Sequence, residues 1–309
     1  MRLNLPFQLP IARYQFEFRV TEDIVLPEYS GSTLRGVWGH ALRRIACMTK
    51  SSTCDGCAFI KACPYQLIFE AAVPVDNLFS KMQNIPQSYI VEPPSIGEKL
   101  YKKGEILQFQ MILMGSIIDR ISLVVSAWKN AFEKGICKDG GKAELVDVKV
   151  ESQDRFISIL NEQSVTPHFN KMILPTMQQS TITLEFETPV RLQKNGKAIP
   201  PDKIEASVLI MQLLRRLSLI STAHFKHHLY ADYVTPKTEA GALKSDADLY
   251  WYDWARYSNR QRQKMYLGGI LGRWTFYDLP VEFQMLLYLG QWIHVGKNTT
   301  FGLGKYRII

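Results

Sequence analysis

The run His40-Ala41-Leu42-Arg43-Arg44 brings an imidazole within one helical turn of two guanidiniums. On a helix, residues three and four apart are neighbours, so the three side chains share one surface. An imidazole can take or give a proton near neutral pH, and guanidiniums hold phosphate oxygens. The combination allows acid–base catalysis beside an anion, with an ordinary exposed histidine as the plain alternative. Tyr29 stands just before this helix, as a phenol reaching its first turns or as a staple residue packed on its start. The free amides of the first turn can add to the holding of a phosphate.

Four of the five cysteines, Cys47, Cys54, Cys57 and Cys63, fall within 17 residues. Four thiolates so close, two of them at knuckle spacing, suit a structural zinc ion. An iron-sulfur cluster uses the same ligands, and reduced free thiols are the third reading. Cys137 stands apart and receives no role.

A third group closes the chain. Residues 294–306 contain His294, Gly296, Lys297, Gly302, Gly304 and Lys305, three glycines and two lysines directly after a helical pattern. Glycine permits close backbone approach, so this reads as a loop able to meet a phosphodiester, or else as a turn into a last strand over 306–309. No Gly-Lys-Ser/Thr ending and no Rossmann spacing is present. Upstream, Arg256-Tyr257-Ser258-Asn259-Arg260-Gln261-Arg262 adjoins Tyr250, Trp251, Tyr252 and Trp254, a mixture suited to single-stranded RNA or to a solvated face beside a strand. His224, His227 and His228 lack a carboxylate or cysteine at metal-site spacing and read as surface residues or RNA contacts.

These groups need a scaffold. Residues 13–20 alternate strictly, with Tyr14, Phe16, Phe18 and Val20 on one face, which predicts a half-buried strand. Leu34, Val37, Trp38, Ala41, Leu42 and Ile45 then follow helical spacing, with Ser32 or Ser30 as N-cap, and His40 falls away from that stripe. Strands are expected over 106–114 and 143–152 with a helix over 117–132 between them. The order recurs: a strand over 182–187, a turn at Asn195-Gly196, a helix from the Asp202/Glu205 capping box to about Ile220, paired strands over 265–277 and a helix over 281–293. The expectation is an α+β fold of two tandem ferredoxin-like (RRM-like) domains, 1–170 carrying the histidine helix and the cysteines and 171–309 carrying the glycine-rich loop.

The charge of +8 and pI of about 9.1 favour a polyanionic partner. The first ten residues hold no signal-type apolar run and no stretch approaches a membrane span, so a cytoplasmic protein is expected, in which disulfides are disfavoured.

Three motifs together resemble one family, the repeat-cleaving CRISPR endoribonucleases of the RAMP superfamily. They are Tyr29-Ser30-Gly31-Ser32-Thr33-Leu34-Arg35-Gly36 running into His40 to Arg44 and the cysteines, then Arg256-Tyr257-Ser258-x-Arg260-Gln261 before Gly268-Gly269, and Gly296-Lys297 to Gly304. In the tail His294 occupies a place where glycine often stands. The resemblance implies metal-independent cleavage of CRISPR repeat RNA to mature guide RNA, by attack of a 2′-hydroxyl that leaves a 2′,3′-cyclic phosphate. It implies that His40 is the acid–base group, that Tyr29 orients or deprotonates the nucleophile, and that Arg43 or Arg44 stabilises the phosphorane. Arg35, Arg256, Tyr257, Arg260, His294, Gly296, Lys297, Gly302, Gly304 and Lys305 would contact RNA, and His294 is a reserve catalytic candidate. No catalytic cofactor is implied, and CRISPR effector subunits are possible partners. The competing readings are a noncatalytic RAMP subunit that holds guide RNA and an unrelated zinc-containing RNA-binding module.

Overall fold

A computed structural model describes residues 3–70, 85–137, 139–153, 155–162, 164–194, 196–229, 233–253, 255–258, 263–266 and 268–309. The chain divides into two units, one formed by residues 7–173 with 223–226, the other by residues 1–6, 174–222 and 227–309.

In the first unit the alternating segment forms the strand Ile11–Val20, whose Tyr14, Phe16 and Phe18 are buried. It lies at the centre of an antiparallel five-stranded sheet in the order Tyr89–Glu92, Ile106–Met114, Ile11–Val20, Ala143–Ser152, Arg155–Ser158. Helices α1 (Gly31–Ala46) and α3 (Ile121–Lys134) connect strands one to two and three to four, with the short α2 (Pro64–Phe69) between them in sequence. Four strands and two helices in this order make a βαββαβ ferredoxin-like unit, with Arg155–Ser158 as an added edge. An aromatic cluster binds helices to sheet: Phe109 lies 4.5 Å from Trp128, Phe18 4.0 Å from Phe132, and Trp38 5.8 Å from Trp128, ring centre to ring centre.

The second unit repeats the plan. Its sheet runs Lys244–Tyr252, Gly269–Tyr277, Ile182–Val190, Tyr306–Ile308, all antiparallel. The helices are α4 (Ala206–His224) and α6 (Val281–Ile293), with α5 (Val234–Gly241) before the second strand. Both halves are therefore ferredoxin-like, as the order of patterns predicted.

Several local expectations are corrected. A 3-10 turn, Gly115–Arg120, precedes α3, which begins only at Ile121. Asp202 sits in another 3-10 turn, Pro201–Lys203, so no capping box starts α4 at that point. The residues over 265–277 do not pair with one another: Gln263–Tyr266 pairs with Ala255–Ser258, whereas Gly269–Tyr277 joins the main sheet. Asn195 lies outside the described residues, and Gln193–Lys194 pairs with Lys197–Ala198 across it. Helix α4 is long and apolar enough to span a membrane by length and composition, against the expectation that no stretch approaches a span. Its Leu209, Ile210, Leu213, Leu214, Leu217 and Ile220 are core residues of this unit.

Candidate active site and nucleic-acid interface

Helix α1 starts at Ser30, whose carbonyl accepts from the Leu34 amide at 2.9 Å. Its inner face buries Leu34, Trp38, Ala41 and Leu42, while His40 is exposed on the outer face. Ile45, expected on the apolar stripe, is 40% exposed, because the stripe has drifted off the sheet by the last turn.

The two arginines beside His40 already have work within the fold. Arg43 Nη2 donates to the carbonyls of Ser51 and Ser52 at 2.7 and 2.8 Å, and its guanidinium lies 5.9 Å from the ring centre of Tyr65. It thus ties the cysteine segment back to α1. Arg44 donates through Nε and Nη2 to Asn130 Oδ1 on α3, at 3.2 and 2.9 Å, and stays exposed. Of the two, Arg44 retains the freer access to an external anion. Arg35 donates from Nε to the Tyr89 hydroxyl at 2.9 Å and stacks 4.3 Å over Phe69.

Tyr29 is 4% exposed, and burial, reinforced by the Glu92 carboxylate, holds its phenol well above the ordinary value. A phenol so disposed is poorly suited to take a proton from a nucleophile near neutral pH.

Cys47, Cys54, Cys57 and Cys63 line one cavity of about 20 Å³, together with Arg43, Thr49, Thr53 and Tyr65. Among the described residues, however, no three His, Cys, Asp or Glu side chains are gathered so as to hold a metal ion. Cys47 turns its Sγ toward Thr49 Oγ1 at 3.7 Å, and that bond lowers its thiol below the usual value. The cysteines are thus grouped as their spacing predicted, without a formed four-thiolate site.

In the second unit the glycine-rich tail folds back on the end of strand Ile182–Val190. The amides of Lys297 and Gly304 donate to the carbonyls of Arg191 and Pro189, each at 3.1 Å, Val295 donates to Gly304, and Gly302 donates to Thr299. Thr188 Oγ1 donates to the Gly302 carbonyl and accepts from the Lys305 amide, both at 2.8 Å. A Cβ at Gly304 would stand 1.8 Å from the Val295 oxygen, and one at Gly296 2.6 Å from that of Arg191; both residues have left-handed φ. The glycines therefore serve close packing of chain on chain, and these amides are engaged within the protein rather than turned out as a phosphate cradle.

His294 departs most from expectation. Its ring is fully buried, with Nδ1 donating to the Leu303 carbonyl at 3.1 Å. Its backbone, at φ 56° and ψ 169°, lies in a region essentially reserved for glycine. It latches the two ends of the loop together, and an inward ring is badly placed to touch RNA or act as the reserve catalyst. Lys297 is exposed, and Lys305 faces Glu187 at 3.3 Å.

Arg256 and Tyr257 lie on the strand Ala255–Ser258, and Arg260 lies outside the described residues. His224 and His227 donate through Nε2 to the carbonyls of Pro86 and Asn4, so each supports a neighbouring segment of its own unit. A candidate absent from the sequence reading is the cation pair Arg273 and Arg307, on the strands either side of Glu185 in the second sheet. Both are more than half exposed, and their hydrogen bonds hold the Glu185 carboxyl below its ordinary value. Only the sheet register unites these three residues, so local sequence held no signal for them.

Residues 9–170 match a family model described as the AF_1859_N N-terminal domain, and residues 184–306 match CRISPR-associated endoribonuclease Cas6. Among solved structures, Cas6 of Thermus thermophilus is 12% identical with a TM-score of 0.55, over 99% of this chain and 100% of that one. The product of a Cas6-related gene from Pyrococcus furiosus is 11% identical with a TM-score of 0.51, over 97% and 98%. A chain of a partial Cas6-RT-Cas1–Cas2 complex is 16% identical with a TM-score of 0.59; it matches all of this chain, which spans only 47% of that longer one. At such identities these likenesses establish the fold. No curated protein matches the sequence. The first model takes in just over half of the chain, and with residues 184–306 resembling Cas6 on a tandem ferredoxin-like fold, the chain belongs to the family that carries the AF_1859_N N-terminal domain.

Proposed function

We propose that the protein binds CRISPR repeat RNA and cleaves it to mature guide RNA without a catalytic metal, using His40 as the acid–base group. The 2′-hydroxyl oxygen before the scissile phosphate attacks phosphorus in line, and the bond to the 5′-oxygen breaks. The products are a 2′,3′-cyclic phosphate and a 5′-hydroxyl. One proton must leave the nucleophile and one must reach the departing oxygen; His40 serves one of these transfers, which contributes about 10²–10⁴-fold. Arg44, oriented by Asn130 and exposed, stabilises charge on the phosphorane. The observation that carries the reading is the exposed His40 on the outer face of a helix whose neighbouring cations are fixed by the fold.

The test is cleavage of a repeat from the CRISPR array of the same genome in excess EDTA. Cutting should persist, and should stop when the nucleotide 5′ to the scissile phosphate is 2′-deoxy. Cleavage of the deoxy substrate would dispose of the mechanism; binding without cleavage would favour a noncatalytic subunit.

The four cysteines carry a second proposal, a structural zinc ion that would draw Cys47, Cys54, Cys57 and Cys63 inward. What supports it is the all-thiolate donor set around one ion-sized cavity. Metal analysis of the parent and of Cys54→Ser decides it, with equal zinc content refuting the site and iron indicating a cluster instead.

A further inference from the structure

Gly36 lies one turn before His40 on the outer face of α1, and among the described residues nothing accounts for it. It is in the helix interior, where glycine is the least favourable residue after proline. It has no left-handed φ, and a Cβ built on it would meet no atom of the described residues within 4 Å. Gly39, in the same helix, offers the contrast: a Cβ there would stand 2.2 Å from the Phe69 ring, so its glycine is required by internal packing. Among the described residues, then, no packing contact asks for a glycine at 36.

At about 100° per residue, Gly36, His40 and Arg43 fall within one strip opposite the buried Leu34, Trp38 and Leu42, and Gly36 and His40 are separated by about 6 Å along the axis. A bare position leaves a shallow notch of backbone in that strip. We infer that Gly36 is a positioning residue: it lets the RNA sugar–phosphate backbone seat directly on α1, bringing the scissile phosphodiester within reach of His40. Because displacement by about 1 Å can cost about 10²-fold in rate, one methyl is enough to disturb the alignment. The inference rests on the cleavage reading above.

The test sets stability and activity against each other. Gly36→Ala should fold at least as well as the parent, with a melting temperature unchanged or raised by a few degrees, since alanine favours the helix and meets open space. Its single-turnover cleavage of the cognate repeat should fall at least tenfold, and Gly36→Leu should lose more. Binding of the repeat carrying 2′-O-methyl groups throughout, which cannot be cut, separates seating from chemistry. Parent-like cleavage by Gly36→Ala, or a joint loss of stability and cleavage, overturns the inference. Failure of the parent itself to cut, or parent-like cutting by His40→Ala, overturns the reading beneath it instead.

Discussion

The ring of Phe69 occupies the space that a side chain at Gly39 would need, with the ring carbon Cζ 2.2 Å from the position a Cβ would take. Phe69 belongs to α2, just beyond the cysteine segment, and also stacks under Arg35 and lies 5.7 Å from Trp38 and Tyr89. Gly39→Ala sets two effects in opposition. Helix propensity favours alanine by about 1 kcal/mol, and overpacking costs about 1–3 kcal/mol. Overpacking should win, so thermal or urea melting is expected to show a destabilised protein. A more stable Gly39→Ala would mean that Phe69 moves aside freely.

Changing His40 to Ala should lower the single-turnover cleavage rate by about 10²–10⁴-fold while repeat binding changes only a few-fold. The side chain is exposed, so folding should be untouched. A near-parental rate would remove His40 from the chemistry, and the buried His294 offers no ready substitute.

The thiols should separate by reactivity. Burial, with help from Asp139, pushes Cys137 up to about 11, whereas Cys47 is lowered by its bond with Thr49. The thiolate is the reactive form, so at pH 8 Cys137 is ionised to about one part in a thousand and Cys47 to a far larger fraction. In metal-free protein, iodoacetamide should label Cys47 well before Cys137 in peptide mass spectra, and the gap should narrow as pH rises toward 11. Equal rates at pH 8 would contradict the buried setting of Cys137.

At position 294 two substitutions should rank in an unusual order. His294→Ala loses the bond to Leu303 and keeps a backbone conformation that costs a non-glycine residue about 1–3 kcal/mol. His294→Gly loses the same bond and relieves that strain. Glycine should therefore melt higher than alanine, the reverse of the usual order. If alanine melts higher, the left-handed backbone at 294 is not under strain.

Much of the scaffold is readable from local pattern. The strands Ile106–Met114 and Ala143–Ser152 and the helix Val281–Ile293 have the bounds their patterns predicted; the helix buries one face at its own period, and Ile106–Met114 alternates until its last four residues, which are all buried. The strand Lys244–Tyr252 escaped that reading: it is an edge with little buried on either face, so Lys244, Asp246 and Asp248 look like a loop. Tyr89–Glu92 failed for the opposite reason, being buried at all four residues and so without alternation. At the site, His40 could be placed outward from helical spacing alone. The burial of Tyr29 and His294 could not, since it depends on partners far along the chain, or on a loop that closes only when its glycines meet the strand end.

The two borders of the second sheet bear on its behaviour in a crowded cell. One is Lys244–Tyr252, with charges at alternate positions; the other is Tyr306–Ile308, only three residues long. A charged strand and a truncated one are both poor templates for another chain's backbone. The sheet can thus display the 56% exposed Tyr250 on one border and the exposed Arg273 and Arg307 across its other strands without inviting the strand-to-strand growth that leads to aggregation.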